Sequence, residues 1–132
     1  MKIFLGNDIC EIKRIQAAYD KFGKKFLEKT FTENEINYCL SSLKNTASRL
    51  SVRFATKEAV SKALGVGIKR LGWSKGINWK DVEVIRNING ALSIILYGKA
   101  KELAYQLGIT KWEVSVSHSQ TDAISTVIGY KE

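Results

Sequence analysis

The stretch Ser48-Arg49-Leu50-Ser51-Val52-Arg53-Phe54-Ala55-Thr56-Lys57-Glu58-Ala59-Val60-Ser61-Lys62-Ala63-Leu64-Gly65-Val66-Gly67 carries the strongest helical signal in the chain. Leu50, Val52, Phe54, Ala55, Ala59, Val60, Ala63 and Leu64 spread nearly all round a helical wheel, so this helix is either buried or covered by another subunit. A start signal stands at Asn45 to Ser48, and Gly65 and Gly67 supply the stop. Glu58 and Lys62, four residues apart, project from one face of a helix with little solvated surface left. Exposed, such a pair contributes only ~0.2–0.5 kcal/mol. Buried, it is costly unless something compensates it, such as a metal bridging two acids or a bound phosphate. Arg49, Arg53 and Lys57 form a second stripe at i, i+4 and i+8, whose plain reading is a solvated cationic face.

On the N-terminal side, residues 2–9 read as a short strand in which Gly6 marks a close backbone approach or a bulge. Ile12, Ile15, Tyr19 and Phe22 then recur at helical spacing, with a basic stripe of Arg14, Lys21 and Lys25 opposite. A short helical stretch follows at 26–29, and Thr32 with Glu35 forms a capping box opening a helix through Leu40. On the C-terminal side, residues 68–80, with Gly72, Trp73, Gly76 and Trp79, read as an irregular loop. Two β-rich runs, 81–86 and 91–97, are joined by Asn87-Ile88-Asn89-Gly90, a hairpin signal. A helix over 98–107 ends at Gly108, and strands at 112–117 and 123–130 flank the polar turn from His118 to Asp122. The expected fold is α+β, one domain over residues 1–132 with helices packed on an antiparallel sheet.

The 132 residues suffice for a core without disulfides or structural metal, because a chain of this size buries about two-thirds of its surface. Apolar runs such as 92–96 are far shorter than the ~20 residues that span a bilayer, which excludes a transmembrane protein. The first residues contain no signal-peptide apolar region, so the expected compartment is the cytoplasm. Two cysteines, Cys10 and Cys39, and a single histidine, His118, are too few for a zinc site. Buried structural thiols are the plain reading, with a papain-like Cys/His pairing as the alternative. The formal charge of +8 calls for an anionic partner, either nucleic acid, an acidic protein or a polyphosphate ligand.

Polar residues concentrate in two further stretches where burial is expected. In Gly6-Asn7-Asp8-Ile9-Cys10-Glu11, Asp8 sits at a strand end and Glu11 at a helix start. Both acids are read either as helix caps, worth roughly 0.3–1 kcal/mol each, or as part of a site. In Val114-Ser115-Val116-Ser117-His118-Ser119, alternation aims Ser115 and Ser117 to one side and His118 to the other, with hydroxyls suited to an oxyanion. A serine hydrolase is excluded, since neighbours on a strand point apart and Gly-x-Ser-x-Gly is absent.

Taken together and in this order, the three stretches resemble bacterial holo-[acyl-carrier-protein] synthases, small single-domain 4'-phosphopantetheinyl transferases. The likeness rests on residues 6–15, on Arg53-Phe54-Ala55-Thr56-Lys57-Glu58-Ala59-Val60-Ser61-Lys62-Ala63-Leu64-Gly65, and on Val116-Ser117-His118-Ser119, and it covers essentially the whole chain. Of these, Phe-x-x-Lys-Glu-x-x-x-Lys-x-Leu-Gly is the most specific. The resemblance implies Mg2+-dependent transfer of 4'-phosphopantetheine from coenzyme A to a serine of apo-acyl carrier protein, releasing adenosine 3',5'-bisphosphate, for fatty-acid biosynthesis. It implies Asp8 and Glu58 as metal ligands, with Lys62 reaching the pyrophosphate. Arg53, Gly65, Ser117 and His118 join Lys62 as coenzyme A-binding residues, with His118 near the 3'-phosphate. Arg14, Lys21 and Lys25 match where the family docks its acidic carrier. The family also implies a homotrimer with active sites shared between neighbours, no nucleic acid and no membrane.

Two positions depart from the family pattern. Asn7 stands where an apolar residue is usual, so a hydrogen bond or altered coordination beside the metal ligand is expected. Asn89-Gly90-Ala91 stands where a Gly-x-Pro turn is common. A rival reading of another class is a small basic nucleic-acid-binding module, which +8 and three tryptophans permit. Its binding weakens steeply with salt and needs no divalent ion.

Overall fold

The computed structural model describes residues 1–68 and 76–132. Its centre is helix α4, Thr46–Ala63, lying across the inner face of a three-stranded antiparallel sheet. That sheet runs β1 (Ile3–Glu11), β5 (Asp122–Tyr130), β4 (Lys111–His118). The N-terminal layer is α1 (Ile12–Phe22), α2 (Lys24–Thr30) and α3 (Glu33–Leu40). A separate hairpin of β2 (Val82–Arg86) and β3 (Leu92–Leu96) packs near the other end of α4, and α5 (Gly98–Leu107) links it to β4. The α+β class is observed, with two antiparallel sheets instead of one.

Each element follows from its residues. Alternation in β1 turns Phe4, Gly6, Asp8 and Cys10 toward α4 and Ile3, Leu5, Asn7 and Ile9 away from it. Gly6 is required by space: a Cβ there would lie 1.9 Å from the Ala59 carbonyl oxygen and 2.9 Å from the Ala63 nitrogen. Strand and helix backbones therefore touch, and a Thr56 Oγ1 to Ser125 Oγ hydrogen bond of 2.8 Å ties α4 to β5 beside that contact. Ala59, Val60, Ala63 and Leu64 pack with Ile77, Val82, Ala104 and Val127 in one core cluster. Leu50 and Ala55 join Ile15, Leu27, Phe31 and Cys39 in the other.

Three sequence expectations change here, and of the two readings left open for the apolar helix α4, burial is the one observed. β1 continues to Glu11, so Asp8 lies inside the strand opposite Ser125, and Glu11 makes no side-chain cap to α1. The helix-capping reading of these two acids is thereby overturned. The all-round apolarity of α4 is satisfied within its own chain, by β1, β5, α1, α3 and the hairpin, and needs no second subunit. The stripe of Arg49, Arg53 and Lys57 is no solvated face, because Lys57 is 0% and Arg53 3% exposed. Finally, the 68–80 loop has order at both its described ends: Ile68 and Ile77 are bridged and buried, and Trp79–Asp81 is a 3-10 turn. Gly72 and Trp73 lie outside the described residues. The hairpin turn closes without proline, through Asn87 N–H to the Ala91 carbonyl and a positive φ of 88° at Gly90.

The outer face of the sheet is left bare. Ile3, Leu5, Ile9 and Ile124 are 57%, 63%, 64% and 40% exposed, and the cross-strand register lines them up with Ile128, Thr126, Ser115 and Ser117. Among the described residues nothing covers these side chains.

Candidate active site

Close packing of Gly6 on Ala59 sets the two acids together. Asp8, two residues along the inner face of β1, and Glu58, one residue before Ala59, line one cavity of about 630 Å³. Lys62, one turn beyond Glu58, reaches across it, with Nζ 2.9 Å from Asp8 Oδ1 and 3.0 Å from the Asn7 carbonyl oxygen. Arg14, Cys10, Phe26, Phe54 and Trp79 complete the wall. The Asn7 side chain points to the outer face, so its departure from the family pattern touches the site only through the main-chain carbonyl.

The donor set fits a hard divalent cation. Among the described residues no cluster of three or more His, Cys, Asp or Glu side chains exists to form an all-protein cage. Two carboxylates on an open cavity, with substrate phosphate and water completing the shell, is the arrangement Mg2+ favours. Cys10 adds no nucleophile, since burial and the nearby Asp8 charge push its thiol up to about 11. Burial likewise pushes Cys39 up to about 11, and this residue is fully buried. Both are structural thiols, and His118 lines a different cleft from either, which removes the papain-like alternative.

That second cleft, about 150 Å³, is lined by Arg49, Arg53, Arg86, Tyr38, Ser48 and His118. The guanidinium carbons of Arg49 and Arg53 stand 4.2 and 4.6 Å from the centroid of the Tyr38 ring, a double cation–π stack. Arg53 donates from Nη1 to the Arg49 carbonyl oxygen at 3.2 Å. Its buried Nε has no hydrogen-bond partner among the described residues. One buried guanidinium with a donor to spare, beside two further arginines and an imidazole, is chemistry suited to a phosphate.

The structure thus groups the expected residues into sets. Asp8, Glu58, Lys62 and Arg14 share the first cavity, while Arg53 and His118 share the second. Ser117 is on the outer face of β4, opposite to His118, and lines neither cleft. Gly65, exposed at φ +78°, closes α4 beside Lys62. Lys25 lines a third, apolar groove with Phe22, Phe26, Lys29, Phe54 and Trp79 that adjoins the first cavity, and Lys21 stacks its ammonium over Phe22. Sequence reasoning missed Tyr38 and Arg86 as parts of the second cleft. Arg49 was visible in the stripe, but its direction was not.

Lys57 was also missed as a structural part of the site. Its ammonium is fully buried, 2.8 Å from Glu35 Oε1, and donates to the carbonyls of Trp79 (3.0 Å) and Val82. Glu35 in turn accepts from Thr32 N–H and Val84 N–H, both at 2.8 Å. Thr32 and the Tyr97 hydroxyl donate to Glu83 alongside. Burial holds the Lys57 ammonium below the usual lysine range, against the opposing pull of Glu35. The network fixes the strand entry carrying Trp79 against α4, one residue from Glu58.

Residues 4–125 match the 4'-phosphopantetheinyl transferase superfamily. A holo-[acyl-carrier-protein] synthase of Gloeobacter violaceus is 42% identical over 123 residues, covering 93% of this chain and 89% of its own. The crystal structure of the synthase from Neisseria meningitidis superposes with a TM-score of 0.83 at 27% identity, covering 98% and 100% of the two chains. That of the Helicobacter pylori synthase in complex with coenzyme A gives 0.79 at 32% identity, covering 96% and 99%. Sequence likeness and shared fold both extend over nearly the full length, and both include the strand and helix that bring Asp8, Glu58 and Lys62 together: this chain belongs to the 4'-phosphopantetheinyl transferase superfamily.

Proposed function

We propose that the chain is a holo-[acyl-carrier-protein] synthase, using Mg2+ to move 4'-phosphopantetheine from coenzyme A to a serine of apo-acyl carrier protein in cytoplasmic fatty-acid synthesis. The observation that carries this reading is the convergence of Asp8, Glu58 and Lys62 on one cavity, from a strand and a helix that meet at Gly6. Full-length likeness to synthases, one of them in complex with coenzyme A, supports the same substrate here.

In this reading the carrier serine gives up its hydroxyl proton to the cavity's carboxylates or water, its oxygen attacks the pantetheine-side phosphorus, that P–O bond forms, and the bond to the adenosine-side phosphate breaks. Asp8 and Glu58 hold the Mg2+, which when bound supplies neutralisation of charge growing on the pyrophosphate oxygens. Lys62 donates to the phosphate oxygens and stabilises the departing adenosine 3',5'-bisphosphate. Arg53 and His118, with Arg49 and Arg86 beside them, receive the 3'-phosphate, and the spare donor at Arg53 Nε supports that assignment. Arg14, Lys21 and Lys25 face the acidic carrier through opposite charge.

The two cleft sets lie on different parts of one chain, and the bare sheet face offers a means of joining them between chains. A homotrimer, each active site taking Asp8 and Glu58 from one subunit and Arg53 and His118 from the next, suits a closed ring built on one repeated interface. Ser117, on that same outer face, and Gly65, at the end of α4, would then contribute to coenzyme A binding across the joint. Among the described residues no helix is long and apolar enough to cross a membrane. The test is chromatographic: adenosine 3',5'-bisphosphate should appear from coenzyme A only when apo-carrier and Mg2+ are both present. No release under those conditions, with metal-free binding to nucleic acid that fades with salt, would replace this reading by the nucleic-acid module.

A further inference from the structure

Lys62 does more in this geometry than wait for a phosphate. Its Nζ occupies a coordination direction of the Asp8 carboxylate, 2.9 Å from Oδ1, and is steadied there by the Asn7 carbonyl at 3.0 Å. The two partners differ in freedom: the Asp8 side chain is 17% exposed and held in the strand, whereas the Lys62 side chain is 53% exposed. The acid is fixed and the cation is free to leave toward solvent. An ammonium at hydrogen-bond distance and a divalent cation repel one another over the same carboxylate oxygen.

Resting on the transferase reading, we propose that Lys62 is a built-in competitor for the divalent cation at Asp8, displaced when a phosphate anion draws its ammonium across the cavity. The ammonium then has two stable partners, the carboxylate and the phosphate, and the divalent cation takes the carboxylate only when Lys62 is on the phosphate. Metal and coenzyme A therefore bind cooperatively, each tightening the other by the same factor. Metal alone binds weakly, which keeps Asp8 paired with Lys62 between turnovers. Lys62 also sits in the last turn of α4, where a cation is favoured by the helix dipole, so its displaced position remains near the site.

The probe is Mn2+, read by loss of the free-ion electron paramagnetic resonance signal, on whole protein with and without saturating coenzyme A. Lys62→Met should bind Mn2+ about 1.5-fold to fivefold more tightly than wild type in the absence of coenzyme A, the range expected for releasing a partly exposed ion pair. Lys62→Arg, which keeps the competing charge, should stay near wild type. Lys29→Met, which removes a cation from the adjoining groove without touching Asp8, should also stay near wild type. The enhancement of Mn2+ binding by coenzyme A should shrink in Lys62→Met. Unchanged or weaker Mn2+ binding by a folded Lys62→Met, or equal tightening by Lys29→Met, would overturn the proposal. Transfer is scored separately: a wild type that transfers nothing overturns the transferase reading, and the Mn2+ comparison still decides the competition.

Discussion

Adding one methyl group at Gly6 is the sharpest perturbation of the packing that builds the site. The Cβ of Gly6→Ala would stand 1.9 Å from the Ala59 carbonyl oxygen, where ordinary contact begins near 3.4 Å, so β1 and α4 must part by about 1.5 Å. No flexible side chain can yield, because the obstructing atoms are helix backbone. Overpacking of this kind costs about 1–3 kcal/mol, which for a domain of this size lowers the melting temperature by roughly 3–12 °C. Activity should fall further than stability. Asp8 moves with the strand and Glu58 with the helix, and a misplacement of about 1 Å at a reacting centre costs on the order of a hundredfold in rate. The assay is kcat for phosphopantetheine transfer, measured well below the variant's melting temperature, beside a thermal melt. Wild-type melting would refute the packing argument. A lowered melting temperature with unchanged kcat would refute the claim that this contact positions the acids.

Glu58→Gln and Arg53→Ala should each abolish or nearly abolish transfer while folding normally. Mixed before assembly they should recover activity in about a quarter of the sites, since some joints pair an intact Glu58 with an intact Arg53; no recovery would place both residues in a site built by a single chain. Lys57→Met leaves Glu35 buried without its counter-ion and should cost about 3–5 kcal/mol in urea unfolding, with most of it restored in the double variant Lys57→Met/Glu35→Gln. The two thiols, raised to about 11 in the fold from an ordinary 9.0, stabilise the protein below pH 9 and lose that contribution as pH rises toward 11. Melting temperature should fall across that window, and iodoacetamide at pH 8 should label neither thiol until urea is added. Arg14→Glu should raise the KM for carrier by like-charge repulsion and leave that for coenzyme A unchanged; an unchanged carrier KM would move docking to another face.

Much of the fold is written in local signals that no tertiary contact overrides. The capping box at Thr32 and Glu35, the stops at Gly65 and Gly108, and the Asn-Gly turn each fix a boundary from neighbouring residues alone. What the sequence hides is direction and partnership between distant segments. Lys57 looks like any cation in a helical stripe, because its three partners, Glu35, Trp79 and Val82, come from 22 to 25 residues away on either side. Arg86 belongs to a hairpin whose approach to α4 depends on that same buried network. The end of β1 was misread because Ile9 and Cys10 continue the alternation past the glycine, and pairing with β5 through Asp122 extends the strand beyond its own signal. For the site itself, the spacing of Glu58 and Lys62 was legible, whereas the meeting of Asp8 with them depends on a glycine whose missing side chain leaves no mark except its space.

The most direct test of the central claim is the intact mass of apo-acyl carrier protein after incubation with this protein, coenzyme A and Mg2+, beside a sample containing EDTA. The account predicts a gain of one phosphopantetheine group, absent with EDTA and absent with Glu58→Gln. A folded wild-type protein that leaves several apo-carriers unmodified, or modifies them equally well in EDTA, would contradict it.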